Sequence, residues 1–78
     1  MKTYEYCVRC QLPDGSKFLC GEFQNKQDAI NSRDQRQKQY PQNHYYITVH
    51  VYAASWKDRD ISNHIYSYYL ETGERIKY

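Results

Sequence analysis

Three cysteines and three histidines are the residues of this 78-residue chain best suited to chemistry. Cys7 and Cys10 have the C-x-x-C spacing that binds zinc or cycles between thiol and disulfide in a suitable setting. Cys20 with His44, His50 or His64 would complete a four-ligand set. The setting argues against it. Both cysteines lie in a segment, Thr3 to Leu12, that alternates like a strand, and strand residues three apart point to opposite faces. A metal knuckle needs a turn between the thiols, and Val8-Arg9 offers neither glycine nor proline. The thiols are expected to act as small hydrophobes, with no metal and no cofactor.

The histidines titrate near neutral pH. The carboxylates that might orient them, Asp58, Asp60, Glu71 and Glu74, fall in turns, where solvated charge is the ordinary role. No serine, cysteine and histidine set has motif support, and no glycine-rich loop could cradle a phosphate. The expectation is a protein that is not an enzyme and has no catalytic residues.

The elements that must position these groups can be read from hydrophobic period and turn chemistry. In the first strand, Tyr4, Tyr6, Val8, Cys10 and Leu12 face one way and Thr3, Glu5, Cys7, Arg9 and Gln11 the other. Pro13-Asp14-Gly15 reads as a three-residue hairpin loop. It predicts Leu12 opposite Ser16, Cys10 opposite Phe18 and Val8 opposite Cys20, leaving Cys10 and Cys20 near neighbours. Asn25 is an N-cap signal, and a helix is predicted from Lys26 to Tyr40, ended by Pro41. Its inward stripe of Ala29, Ile30, Arg33, Gln37 and Tyr40 is thin, so it packs by few contacts or waits for a partner. His44 to Ser55 is a strand, with Tyr45, Ile47, Val49 and Val51 alternating against Tyr46, Thr48, His50 and Tyr52. Asn63 to Leu70 is the next strand. Glu71-Thr72-Gly73 predicts a last hairpin, with Tyr68 opposite Ile76 and Tyr66 opposite Tyr78. The order is β-β-α-β-β-β in a single α+β domain. The expected architecture is a two-layer sandwich, an antiparallel sheet of four to five strands with one helix across one face.

Tyrosine sets this composition apart. Ten of the residues are Tyr, while leucine and valine number three each, so aromatic rings must carry much of the core. A strand that is aromatic on both faces has more ring than a small core can hide. Tyr46, Tyr52, Tyr66 and Tyr68, with Trp56 at the rim, are therefore expected to anchor a protein partner, the rings opposite the helix first. The expected role is that of a small non-catalytic regulator or inhibitor, of the kind phages and mobile elements encode. The alternative is a nucleic-acid-binding module in which Lys26, Arg33, Arg36 and Lys38 contact phosphates while tyrosines stack on bases. In element order, the strand-strand-helix opening resembles the small arm-type DNA-binding domains of tyrosine integrases. Against this stands the charge balance, 11 Lys and Arg to 9 Asp and Glu, a net +2. A homodimer through an open sheet edge is a third reading. No apolar run is long enough for a membrane span, no signal-peptide core is visible, and the cysteine count is odd. A cytoplasmic protein with reduced thiols is expected.

Overall fold

The computed structural model describes residues 1–78. Four antiparallel strands, β1 (Thr3–Gln11), β2 (Lys17–Phe23), β3 (His44–Tyr52) and β4 (His64–Tyr69), form one sheet in the order β2-β1-β3-β4. One helix, α1 (Lys26–Gln39), crosses one face, which makes this the expected α+β two-layer arrangement. No helix is long and apolar enough to cross a membrane.

The first hairpin closes as its turn chemistry dictates. Leu12 donates its N–H to the Ser16 carbonyl (2.9 Å), Gly15 donates to Leu12 (2.9 Å), and Gly15 takes the left-handed φ of 92°. Cys10 pairs with Phe18 as expected, but the register then slips. A bulge leaves Val8 opposite Gly21 rather than Cys20, with the extra residue absorbed beside a glycine.

Asn25 caps α1 through its side-chain oxygen, which accepts from the N–H groups of Gln27 (2.8 Å) and Asp28 (3.2 Å). The helix docks through one buried residue, Ala29, set among Val8, Ile47 and Val49, with Ile30, Phe23 and Cys20 packed around them. Two polar staples make up for the thin stripe. Gln37 donates its amide to the Asn43 carbonyl (2.6 Å) and accepts from Tyr45 N–H (2.9 Å), so a side chain holds the backbone at the start of β3. The Glu71 carboxylate accepts from Ile47 N–H (3.0 Å) and from the Arg33 guanidinium (2.8 Å), tying helix, β3 and the segment after β4 together. Glu71 thus has a structural role, beyond that of a solvated turn charge.

The end of the chain corrects the predicted fifth strand. It shrinks to a single bridge, Tyr68 opposite Arg75, one residue away from the predicted pairing with Ile76. Two backbone bonds flank that bridge, Tyr69 N–H to the Glu74 carbonyl (2.9 Å) and Ile76 N–H to the Ser67 carbonyl (2.9 Å), while Leu70 N–H and the Glu71 side chain are committed to Ile47. A one-residue slip exchanges the faces. Arg75 therefore lies over the Tyr66 ring (3.7 Å), while Ile76 and Tyr78 line a depression on the opposite side of the sheet with Arg9, Thr48 and His50.

Candidate binding face

Residues directly opposite in a ladder share a face, so the registers sort the rings. Val49 pairs with Tyr68 and Val51 with Tyr66, which puts both tyrosines on the helix side. Tyr68 packs against the core cluster, and Tyr66 stacks on Tyr68 (6.1 Å, 28°) beneath Arg75. Thr48 pairs with Tyr69 and His50 with Ser67, so these lie with Tyr46 and Tyr52 on the face the helix leaves open. Trp56 sits in a separate depression with Tyr4, Tyr6 and Lys26, its ring under the Arg59 guanidinium (3.8 Å). The five expected anchors therefore divide: Tyr46 and Tyr52 share the open face, and Tyr66, Tyr68 and Trp56 do not join them.

Other rings take their place. On the open face His44 stacks on Tyr46 (5.5 Å, 17°), and Tyr46 meets Tyr69 (6.1 Å). Farther along, Tyr52 and Tyr78 each set an edge against His64 (5.4 and 5.6 Å), and His50 lies 6.2 Å from His64. Three depressions run together here. The first, about 430 Å³, is lined by His50, Tyr52, Ile61, His64 and Tyr78. A second, about 260 Å³, shares His50 and Tyr78 with it. The third, about 380 Å³, shares Tyr46 and Tyr69 with the second. Together they form one groove along β3, which spans roughly 20 Å from residue 46 to 52 at about 3.3 Å per residue.

The loop at the groove's end is firmly built. Trp56–Asp58 and Ile61–Asn63 are single 3-10 turns. The Asp60 side chain accepts from Ser62 N–H (2.8 Å) while the Asn63 side chain accepts from Asp60 N–H (2.9 Å), a capping box. Ala53 N–H donates to the Asn63 carbonyl (2.8 Å) and closes the neck. This frame holds Ile61 out at 93% exposure beside Tyr78 at 85%.

The floor is polar and fully partnered. Arg9 donates Nε–H to Thr48 Oγ1 (2.8 Å), which lies 3.0 Å from His50 Nε2. Ser67 Oγ lies 2.6 Å from His50 Nδ1 and 2.8 Å from His64 Nε2. If each hydroxyl accepts one bond and donates one, the hydrogen bonds run in one direction from Arg9 through Thr48, His50 and Ser67 to His64, with the His50 imidazole neutral. Burial, reinforced by Arg9, lowers the His50 pKa and favours that neutral form. No buried side-chain polar atom lacks a partner.

The histidine-flanked serine has the spacing of a nucleophile and base, but Ser67 is wholly buried, out of a substrate's reach. Cys7, also buried, has its thiol pushed up to about 12 by burial, with the Glu5 charge adding to the effect. It is a protonated thiol at neutral pH, the opposite of an activated one. Cys7 and Cys10 point to opposite faces, as strand geometry requires: Cys7 pairs with Thr48 of the open face and Cys10 with Tyr45 of the helix side.

On the β1 bank, Arg59 reaches back from the loop to Glu5 Oε2 (2.8 Å) and Glu22 Oε2 (3.3 Å). Burial would raise the Glu5 pKa, but the Arg59 hydrogen bond and charge outweigh it, so the folded value lies below the ordinary one of 4.5. The depressed value stabilises the fold above the unfolded pKa, and this contribution is lost as pH falls from about 4.5 through the folded value. Urea midpoints from pH 7 to pH 3 are expected to drop more steeply for the wild type than for Glu5→Gln. Equal slopes would contradict the coupling.

The basic residues offered for phosphate contact do not assemble. Arg33 is engaged by Glu71 (2.8 Å) and Asp34 (3.1 Å). Lys38 lies five residues on, about 140° around the helix from Arg33. Arg36 is half-buried and donates to Ser32 (3.4 Å), leaving Lys26 and Lys38 as the exposed pair.

Sequence reasoning weighed His44, His50 and His64 only as metal ligands or catalytic groups, and did not place Tyr69, Tyr78 or Ile61 on a binding face. The β3 alternation already grouped Tyr46 and His50 with Tyr52, but which β4 face joins them depends on a register that only the ladder supplies. A search of family models, curated proteins and solved structures finds no match to this chain.

Proposed function

We propose that this protein is a small non-catalytic binding protein, a regulator or inhibitor, that docks a protein partner through the sheet face opposite the helix. The observation that carries the reading is the continuous groove along β3, walled by Tyr46, Tyr69, His64, Tyr52 and Tyr78 and ended by the projecting Ile61. Tyrosine rings held by contact with one another lose little freedom on binding, and such rings concentrate interface energy. A hydrogen-bonded floor keeps the groove's shape without a partner. The groove suits an apolar or aromatic segment of a protein.

Charge favours protein over nucleic acid. The groove's lining carries Arg9 and Lys17 against Glu71 and Glu74, leaving no net positive track for a phosphate backbone. Three free cysteines fit the reducing cytoplasm, where we place the protein.

The test is an affinity capture from nuclease-treated lysate, comparing wild type with Tyr46→Ala, Tyr52→Ala and Lys38→Ala. A stoichiometric protein that survives nuclease, binds at least tenfold more weakly to the two tyrosine variants and is unaffected by Lys38→Ala is the expected result. Partners that vanish with nuclease would replace this reading with nucleic-acid binding.

A further inference from the structure

The C-x-x-C pair cannot share a ligand, but one of its cysteines meets other donors across the sheet. Glu5 and Cys7 are alternate residues of β1 on the open face, and Glu5 pairs directly with His50 of β3. A carboxylate oxygen, the thiol sulfur and an imidazole nitrogen therefore converge from residues 5, 7 and 50, with all three atoms within 4.8 Å of one another. We infer that Glu5, Cys7 and His50 form a binding site for a single divalent transition-metal ion of the zinc type.

The donor set fits such an ion. One sulfur, one nitrogen and one oxygen suit a borderline-soft cation and exclude magnesium or calcium, which take oxygen alone. Bonds of about 2.0–2.3 Å in a tetrahedron put donor atoms roughly 3.4–3.8 Å apart. Glu5 Oε1 and Cys7 Sγ, at 3.5 Å, already meet that spacing. The pairs that include His50 lie within 4.8 Å, so side-chain rotation has to close each by no more than about 1.4 Å, within a tetrahedron whose fourth corner is left to water.

The surroundings hold two of the ligands in place. Arg59 grips Glu5 by Oε2, which leaves Oε1 turned toward the thiol. Ser67 Oγ lies 2.6 Å from His50 Nδ1. When Nδ1 donates to it, Nε2 presents its lone pair, which the metal takes in place of the Thr48 hydroxyl 3.0 Å away; in this arrangement an outer partner fixes a ligating histidine's tautomer. Charge also balances. The ion's two positive charges meet the Glu5 carboxylate and a Cys7 thiolate, the thiol proton passing to buffer, and Glu22 still matches Arg59. The site lies on the β1 bank of the groove and needs no protein partner, so it stands or falls apart from the proposed docking.

The test titrates reduced, chelator-stripped protein with Co²⁺. One equivalent is expected to bind with tetrahedral d–d bands and a sulfur-to-cobalt charge-transfer band, both displaced by zinc. Cys7→Ser is expected to lose the charge-transfer band, His50→Gln to weaken Co²⁺ at least tenfold, and Cys20→Ser to leave the spectrum unchanged. No charge-transfer band in the wild type, or one that survives Cys7→Ser and disappears in Cys20→Ser, would overturn the assignment. Should Cys7→Ser fail to fold, X-ray absorption of zinc-loaded wild type decides. One sulfur among nitrogen and oxygen neighbours supports the site; none, or two or more, refutes it.

Discussion

Ile47→Ala is expected to cost about 2–5 kcal/mol and to leave a measurable part of the protein unfolded without denaturant. Ile47 is wholly buried in the centre of β3, packed with Val8, Ala29 and Val49, and it is the largest of the fully buried side chains. That cluster is the centre of the helix–sheet core, flanked on the same face by buried Cys10, Tyr45 and Val51 and by half-buried rings. The sheet backbone and the stapled helix limit how far its walls can close into the space. At about 0.05–0.15 kcal/mol per residue, a chain of this length has only roughly 4–12 kcal/mol to lose. Urea unfolding followed by Trp56 fluorescence and circular dichroism measures the change. Ile65→Ala is the matched control, since Ile65 is 45% exposed on the edge strand and should shift stability by less than about 0.5 kcal/mol. Similar losses at the two positions would mean that the core lies elsewhere.

The second large effect is expected at Arg59. The Glu5 side chain is 11% exposed and the Arg59 side chain 22%. Breaking a buried pair by deleting one member costs about 3–5 kcal/mol, because the other charge stays desolvated. The residual exposure of Arg59 reduces this to about 2–3 kcal/mol here. Arg59→Ala also removes the bond to the Trp56 carbonyl (2.7 Å) and the guanidinium from the Trp56 ring, so the loop from Ser55 to Asn63 should loosen with it. Lysine is not expected to substitute, since a point charge cannot reach Glu5, Glu22 and the carbonyl at once. The diagnostic is the double variant. If the cost comes from the stranded carboxylate, Glu5→Gln added to Arg59→Ala should restore most of the loss. A double variant no more stable than Arg59→Ala would show that the loop contacts, and not the charge, carry the effect.

The elements were legible wherever turn chemistry and period agree. The first loop needs a left-handed residue, and Gly15 supplies it; the helix needs a cap, and Asn25 provides it; Pro41 sets the end. The two failures are both registers. Neither the bulge at Cys20–Gly21 nor the one-residue slip at Arg75 follows from turn chemistry or alternation alone. Glu71 takes Ile47 N–H from 24 residues away in sequence, which no local pattern reveals. The role of Arg59 was not legible because its partners, Glu5 and Glu22, lie in other strands. The candidate face suffered for the same reason. The alternation of β3 grouped its rings correctly, but strand β4 alternates too, and either of its faces could have joined them. The β3–β4 pairing puts Ser67 and Tyr69 there, and it sends Tyr66 and Tyr68 to the helix side.

The central claim is that the face opposite the helix binds a protein, and the most direct test is the footprint of the captured partner on isotope-labelled protein by NMR. The account predicts that side-chain and amide signals of Tyr46, Tyr52, Ile61, Tyr69 and Tyr78 shift or broaden together, while those of Lys26, Arg36 and Lys38 stay in place. A footprint centred on the helix, with the groove residues unmoved, would contradict it.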